Sequence, residues 1–185
     1  MDEAGRGPLA GPVVAGAVLL RGDRFTLPID DSKRLTPRAR ARAFAAIVAQ
    51  AEVGIGIVQP ATIDAVNIFQ ATLAAMRQAV ACLPSAPDHL LIDGPWTVPG
   101  VAIPMTPVVH GDRRSLAIAC ASIVAKVVRD TLMTWYDGRH PLYGFARHKG
   151  YPTAAHLASL VRHGPSPIHR RSFAPVARAL TAVAP

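Results

Sequence analysis

An α/β fold is predicted, and three features of the chain predict it. Short β-branched apolar runs alternate with longer stretches whose apolar residues recur at helical spacing. Proline, glycine and acidic turn residues punctuate the boundaries. Two aspartates, Asp93 and Asp112, follow short apolar runs, at the strand ends where α/β folds carry their function. With 185 residues, 50% of them hydrophobic and 17% charged, the chain is long enough for one well-packed core.

The elements follow in order. Val13–Leu20, between Pro12 and the turn Arg21-Gly22-Asp23, reads as a buried strand. Thr36 and Pro37 supply an N-cap and a first-position proline for a helix over 38–51. A second strand covers 54–58, and apolar residues at helical spacing give a helix over 68–83, stopped by Pro84. The strand over 89–92 delivers Asp93-Gly94 at its C-terminal end. A Pro/Gly-rich connection, 95–104, leads to a short strand over 106–109, followed at once by His110-Gly111-Asp112. A long helix covers 115–135. The remainder is helical and basic, with helices over 153–162 and 175–183 flanking a loop that carries His169-Arg170-Arg171. No internal repeat or low-complexity tract interrupts this order.

Composition narrows the function. The longest apolar runs, 12–20 and 116–125, are shorter than the roughly 18 residues of a membrane span, so no membrane association is expected. No secretory signal pattern is present, and Cys82 and Cys120 are too few for a disulfide framework; a cytoplasmic protein with both thiols reduced and buried on helices is expected. A net charge of +8 and a pI near 10.5 favour a polyanionic partner, nucleic acid first. Aromatics are only 5%, which fits a protein that tracks a duplex backbone better than one that stacks single-stranded bases.

The chemistry concentrates at a few positions. Asp2 and Glu3 run directly into Gly5-Arg6-Gly7, so acids able to hold a hard metal ion adjoin backbone amides able to approach a phosphate. Asp93 and Asp112 end their own strand and loop, and the four acids can converge on one pocket. Two divalent ions there would activate water and steady a leaving oxygen without a nucleophilic side chain. Strand alternation sends neighbours to opposite faces, so Asp2 and Glu3 share a site only at a strand end or bulge. Lys126 and Asp130, spaced i,i+4, read as a surface ion pair. The seven histidines lack zinc-site spacing and read as solvated or loop residues.

In its motifs the chain resembles the ribonuclease HII family nearly end to end. The residues that carry the resemblance are 2–12, Asp31-Ser32-Lys33-Arg34-Leu35, Leu91-Ile92-Asp93-Gly94, Gly111-Asp112, 121–127 with Arg129-Asp130, Tyr143-Gly144-Phe145, 148–153 and 169–173. The resemblance implies an RNase H-like fold: a mixed five-stranded sheet flanked by helices, with a C-terminal helical extension. It implies a catalytic core over 1–140 and an extension over 141–185 packed on it as one unit. Family members usually carry several residues before the first acid, in a central strand; here Met1 directly precedes Asp2, so the first strand is expected to be truncated.

The resemblance further implies that Asp2, Glu3, Asp93 and Asp112 bind Mg²⁺ or Mn²⁺ and cut the phosphodiester 5′ to a ribonucleotide, in RNA/DNA hybrids or embedded in duplex DNA. The products would be a 3′-hydroxyl and a 5′-phosphate, and the role ribonucleotide removal from DNA. Gly5, Arg6 and Gly7 would contact the 2′-hydroxyl, the group that separates RNA from DNA. Tyr151 would pack against the next sugar, and Ser32, Lys33 and Arg170 would contact phosphates. A monomer is expected. His110 departs from the lysine many members carry before Gly-Asp. The alternative is a catalytically impaired, N-terminally truncated protein of the same fold that binds duplexes without cutting them; incision separates the two. Gly5-x-Gly7-x-x-Ala10 also meets the dinucleotide-binding fingerprint, but Pro8, Pro12 and the β-branched Val13-Val14 follow where a helix should begin.

Overall fold

The computed structural model describes residues 1–20 and 35–181. Five strands and six α-helices alternate in it: β1 (Asp2–Ala4), β2 (Val13–Leu20), α1 (Pro37–Gln50), β3 (Ala51–Val58), α2 (Pro60–Ala81), β4 (Leu90–Asp93), β5 (Met105–Val108), α3 (Leu116–Arg139), α4 (Phe145–His148), α5 (Ala154–His163) and α6 (Ala174–Thr181). No described helix is long and apolar enough to cross a membrane.

β1, β2 and β3 form an antiparallel ladder with Asp2 opposite Gly16 and Gly16 opposite Ile55, while β4 and β5 pair in parallel. Met1 joins the two halves. Its amino group donates to Leu91 O at 2.6 Å, and Asp93 N donates to Met1 O at 3.0 Å, which is the parallel pattern that sets Met1 beside Ile92. The strand order is therefore β3-β2-β1-β4-β5, the mixed five-stranded sheet that the motifs imply.

Both faces of the sheet are covered, which explains why β2 is apolar throughout rather than alternating. Val13, Ala15 and Ala17 pack with Val58, Ile92 and the α2 residues Ala75 and Ala79. On the other face Val18, Val53 and Ile55 pack with Ile47 of α1 and Cys120, Ile123 and Val124 of α3. At Gly56 a Cβ would run into the main chain of α2 at Ala75, so a glycine is what lets that helix lie against β3.

The cap at Thr36 is formed: its Oγ1 accepts from Ala39 N at 3.2 Å, with Pro37 in the first turn. α2 begins earlier than its periodicity indicates. Asn67 leaves helical geometry at φ 69°, ψ 165°, and its Oδ1 accepts from Phe69 N and Gln70 N, so it caps the part that starts at Ile68. The 60–66 turn before it lacks the apolar spacing that marks the rest. The predicted turn at 21–23 lies outside the described residues. Cys120 is buried as expected, but Cys82 is exposed, because it follows the last turn of α2 instead of lying on its inner face.

The last three helices are tied to residues 9–12. Ala10 packs with Met133, Tyr143, Phe145 and Ile168, and Leu9 with Leu160, Val176 and Ala179. Backbone bonds reinforce this: Leu9 N donates to Gly150 O, Gly11 N to Ile168 O and Arg170 N to Leu9 O.

Candidate active site

The Met1–Ile92 pairing brings Asp2 and Asp93 side by side at the ends of adjacent strands. Asp2 lies on the α3 face and its carboxylate hydrogen-bonds Ser122 and, at 2.7 Å, Glu3 N. Burial, then the nearby Glu3 and Asp93 carboxylates, push its pKa up to about 7. Such crowding of negative charge is what a bound cation would relieve. Glu3 points the opposite way, as alternation requires, and meets Arg6 Nη1 at 3.5 Å. Asp93 Oδ1 accepts from Gly111 N at 2.7 Å, which holds the buried turn carrying Asp112 against the end of β4.

Among the described residues no three acidic, His or Cys side chains stand together as a finished metal cage. The donor set still fits Mg²⁺ or Mn²⁺: Mg²⁺ takes one or two protein carboxylates and fills its other positions with water and substrate oxygens, and its catalytic sites stay open for that reason.

Gly5-Arg6-Gly7 is held from behind by two buried arginines. Arg170 donates to Gly5 O at 2.6 Å, Arg6 O at 3.0 Å, Pro8 O at 2.8 Å and Gly11 O at 2.9 Å. Arg129, from α3, donates to Ala10 O, Pro12 O and Lys149 O. Burial lowers both pKa values, Arg170 to about 9 and Arg129 to about 10, which leaves both charged at neutral pH. The Gly5 and Arg6 carbonyls are thereby turned inward onto the Arg170 guanidinium. Gly5 sits at φ 101°, and a Cβ there would collide with Arg129 Nε, so only glycine fits.

Tyr151 stands opposite the loop, 43% exposed, with its ring edge 3.7 Å from where a Gly7 Cβ would lie. Its carbonyl is fixed by a chain of hydrogen bonds whose direction can be assigned. Ser166 N donates to His169 Nδ1 at 2.9 Å, so the His169 proton is on Nε2. That proton goes to His156 Nε2 at 3.0 Å, and His156 Nδ1–H donates to Tyr151 O at 2.8 Å. Burial and the neighbouring imidazoles lower the His169 pKa to about 3, so it stays neutral.

Between these parts lies a cavity of about 450 Å³ lined by Glu3, Gly5, Arg6, Gly7, Ser122, Lys126, Arg40 and Tyr151. Of the residues singled out from sequence it unites Glu3, Gly5, Arg6, Gly7 and Tyr151; Asp2 adjoins it through Ser122, and Asp93 and Asp112 do not line it. Other expectations differ. Arg170, expected on a phosphate, is fully buried and engaged with main-chain carbonyls; it shapes the loop. Ser32 and Lys33 lie outside the described residues. Histidines expected at the surface include His156 and His169, which are buried. The helical spacing of His156 and the buried Leu160 could have signalled this. Lys126 and Asp130 do pair, at 2.7 Å, but in the cavity wall, and Asp130 also meets Arg40 at 3.7 Å. Sequence reasoning named neither Arg129 nor Arg40 as part of the site.

Comparison with known proteins agrees with this architecture. The family model described as Ribonuclease HII matches residues 1–176. A Ribonuclease HII from Maricaulis maris is 53% identical over 180 residues, 97% of this chain and 83% of that protein. Among solved structures, the ribonuclease H2 of Pyrococcus horikoshii OT3 superposes with a TM-score of 0.77 at 24% identity, covering 98% of this chain and 95% of that one. Bst-RNase HIII in complex with Mn²⁺ gives 0.70 at 18% identity, over 98% and 68%. The fold is RNase H-like, and the chain belongs to the ribonuclease HII family, which makes it a ribonuclease H, an endonuclease that acts on RNA/DNA hybrids.

Proposed function

We propose that this endonuclease cuts on the 5′ side of a ribonucleotide, in a hybrid or alone in duplex DNA, and leaves a 3′-hydroxyl and a 5′-phosphate. Its role is then ribonucleotide removal from DNA, performed as a monomer. The observation that carries the proposal is that the Gly5–Gly7 loop and Tyr151 line one cavity with Glu3 and with Ser122, the residue that hydrogen-bonds the Asp2 carboxylate beside Asp93.

Asp2, Glu3, Asp93 and Asp112 would hold Mg²⁺ or Mn²⁺; when bound, the metal supplies charge stabilisation and an activated water. The other contributions come from the chain. The amides of Gly5–Gly7 would donate to a sugar 2′-hydroxyl oxygen, which a deoxyribose does not offer. Tyr151 closes the opposite wall and packs against the following sugar. Gly111 N holds the Asp93 carboxylate in place. Ser32 and Lys33 remain candidates for phosphate contacts.

The decisive experiment offers a DNA duplex with one ribonucleotide, an RNA/DNA hybrid and an all-DNA duplex, each with Mg²⁺, Mn²⁺ or chelator. Metal-dependent incision at the ribonucleotide alone supports the proposal. Tight binding without incision supports a duplex-binding protein of the same fold.

A further inference from the structure

Helix α3 carries one stripe of residues four apart, Ser122, Lys126, Asp130 and Thr134, which share a face. The first two line the cavity described above, and the last two line a separate groove of about 720 Å³ between α1, α3 and α4. Arg40 of α1 lines both spaces and so forms their common wall. The two lie one after the other along α3, leading away from the acids, with Arg40 between them.

Among the described residues, the walls of the outer groove carry Arg40, Arg147 and Lys149 against one acid, Asp130. Asp130 is already committed to Lys126 and Arg40, and Lys149 Nζ is steadied by Thr134 Oγ1 at 2.9 Å. Arg147 is exposed, with its position in α4 aimed at the groove. Trp135 ends the groove, 51% exposed, with the Arg139 guanidinium 3.9 Å from its ring centroid. From Ser122 to Thr134 the stripe runs about 18 Å, the length of roughly five nucleotide steps of one strand of a duplex.

We infer that this groove is a second nucleic-acid subsite, which binds the sugar-phosphate backbone of one strand as it leaves the ribonucleotide, with Arg147 as its outermost phosphate contact. Adjacency to the inner cavity at Arg40 and positive charge select the occupant. The inference rests on the inner cavity being the ribonucleotide site, so its test reads binding and not cleavage.

Affinity is measured by fluorescence anisotropy with chelator present, for ribonucleotide-containing duplexes whose flank on either side extends about ten base pairs or stops after about two. The wild-type protein is expected to bind the long flank more tightly on one side only. Arg147→Glu should weaken that binding about two- to fivefold, the scale of an exposed ion pair, and lower the salt slope by about 0.9, one phosphate contact. Arg147→Gln should lie between wild type and Arg147→Glu, and neither variant should alter short-flank binding. Equal effects on long and short flanks, no effect on either, or a wild type indifferent to flank length would overturn the inference. Absence of incision with metal, alongside the expected length dependence, would instead remove the ribonucleotide reading and leave the subsite standing.

Discussion

Arg170 and Gly5, 165 positions apart, meet at 2.6 Å, with the guanidinium donating to the carbonyl behind the loop that faces the cavity. The same fork serves three further carbonyls, a planar arrangement that an ammonium cannot reproduce. Arg170→Lys is expected to lose about 2–4 kcal/mol of stability because buried carbonyls are left without donors. Urea denaturation measures this. Single-turnover incision at an embedded ribonucleotide should fall as well, even at temperatures where the variant is folded.

Asp112→Asn keeps the shape of the turn while removing a negative charge from the site. Incision is expected to fall by at least about a hundredfold, the order lost with one preorganised electrostatic group. Duplex binding with chelator should be preserved. Retained turnover would remove Asp112 from the reaction.

Tyr151→Ala tests the wall opposite the loop. His156 holds the carbonyl of this residue and not its ring, and the ring is 43% exposed, so stability should change by no more than about 0.5 kcal/mol. The value of kcat/KM on a single ribonucleotide should drop, and Tyr151→Phe should restore most of it. A matching loss in melting temperature would make the ring structural instead.

The buried imidazoles give the fold an acid limb. His169 has a folded pKa of about 3 against 6.5 for an ordinary imidazole, so between these values the unfolded chain binds the extra proton. Stability is then fully present above pH 6.5 and is lost as pH falls toward 3, at up to about 1.4 kcal/mol per pH unit. His156, whose pKa is also lowered by burial, adds to the same trend, and the nearby imidazoles of His156, His140 and His148 disfavour protonation of His169. His169→Gln should be less stable at pH 7 and flatter between pH 5.5 and 7, as read by melting temperature.

Sequence reasoning reached the elements whose signal is local. β2 announces itself by β-branched residues between Pro12 and a turn, α1 by Thr36-Pro37, and the later part of α2 by spacing that starts where Asn67 caps it. The places of Asp93 and Asp112 were legible because one ends and the other follows a short apolar strand, β4 and β5 respectively. Arg170 was misread because nothing near it in the chain distinguishes a guanidinium facing phosphate from one facing carbonyls; its partners lie at residues 5–11. The histidine chain was hidden for the same reason, since His156 and His169 come from a helix and a loop that meet only when both pack on residues 9–12.

The seam of the sheet has a further consequence. Among the described residues, the antiparallel half and the parallel half share backbone bonds only at Met1, and the Asp2–Asp93 pair straddles that join. A fluctuation that parts β1 from β4 would separate the two carboxylates while leaving each ladder intact. Catalytic competence can thus lapse in a partly opened state that circular dichroism would still count as folded, at a free energy below that of global unfolding. Hydrogen exchange at the amide of Asp93, which is bonded to Met1 O, would report the opening directly.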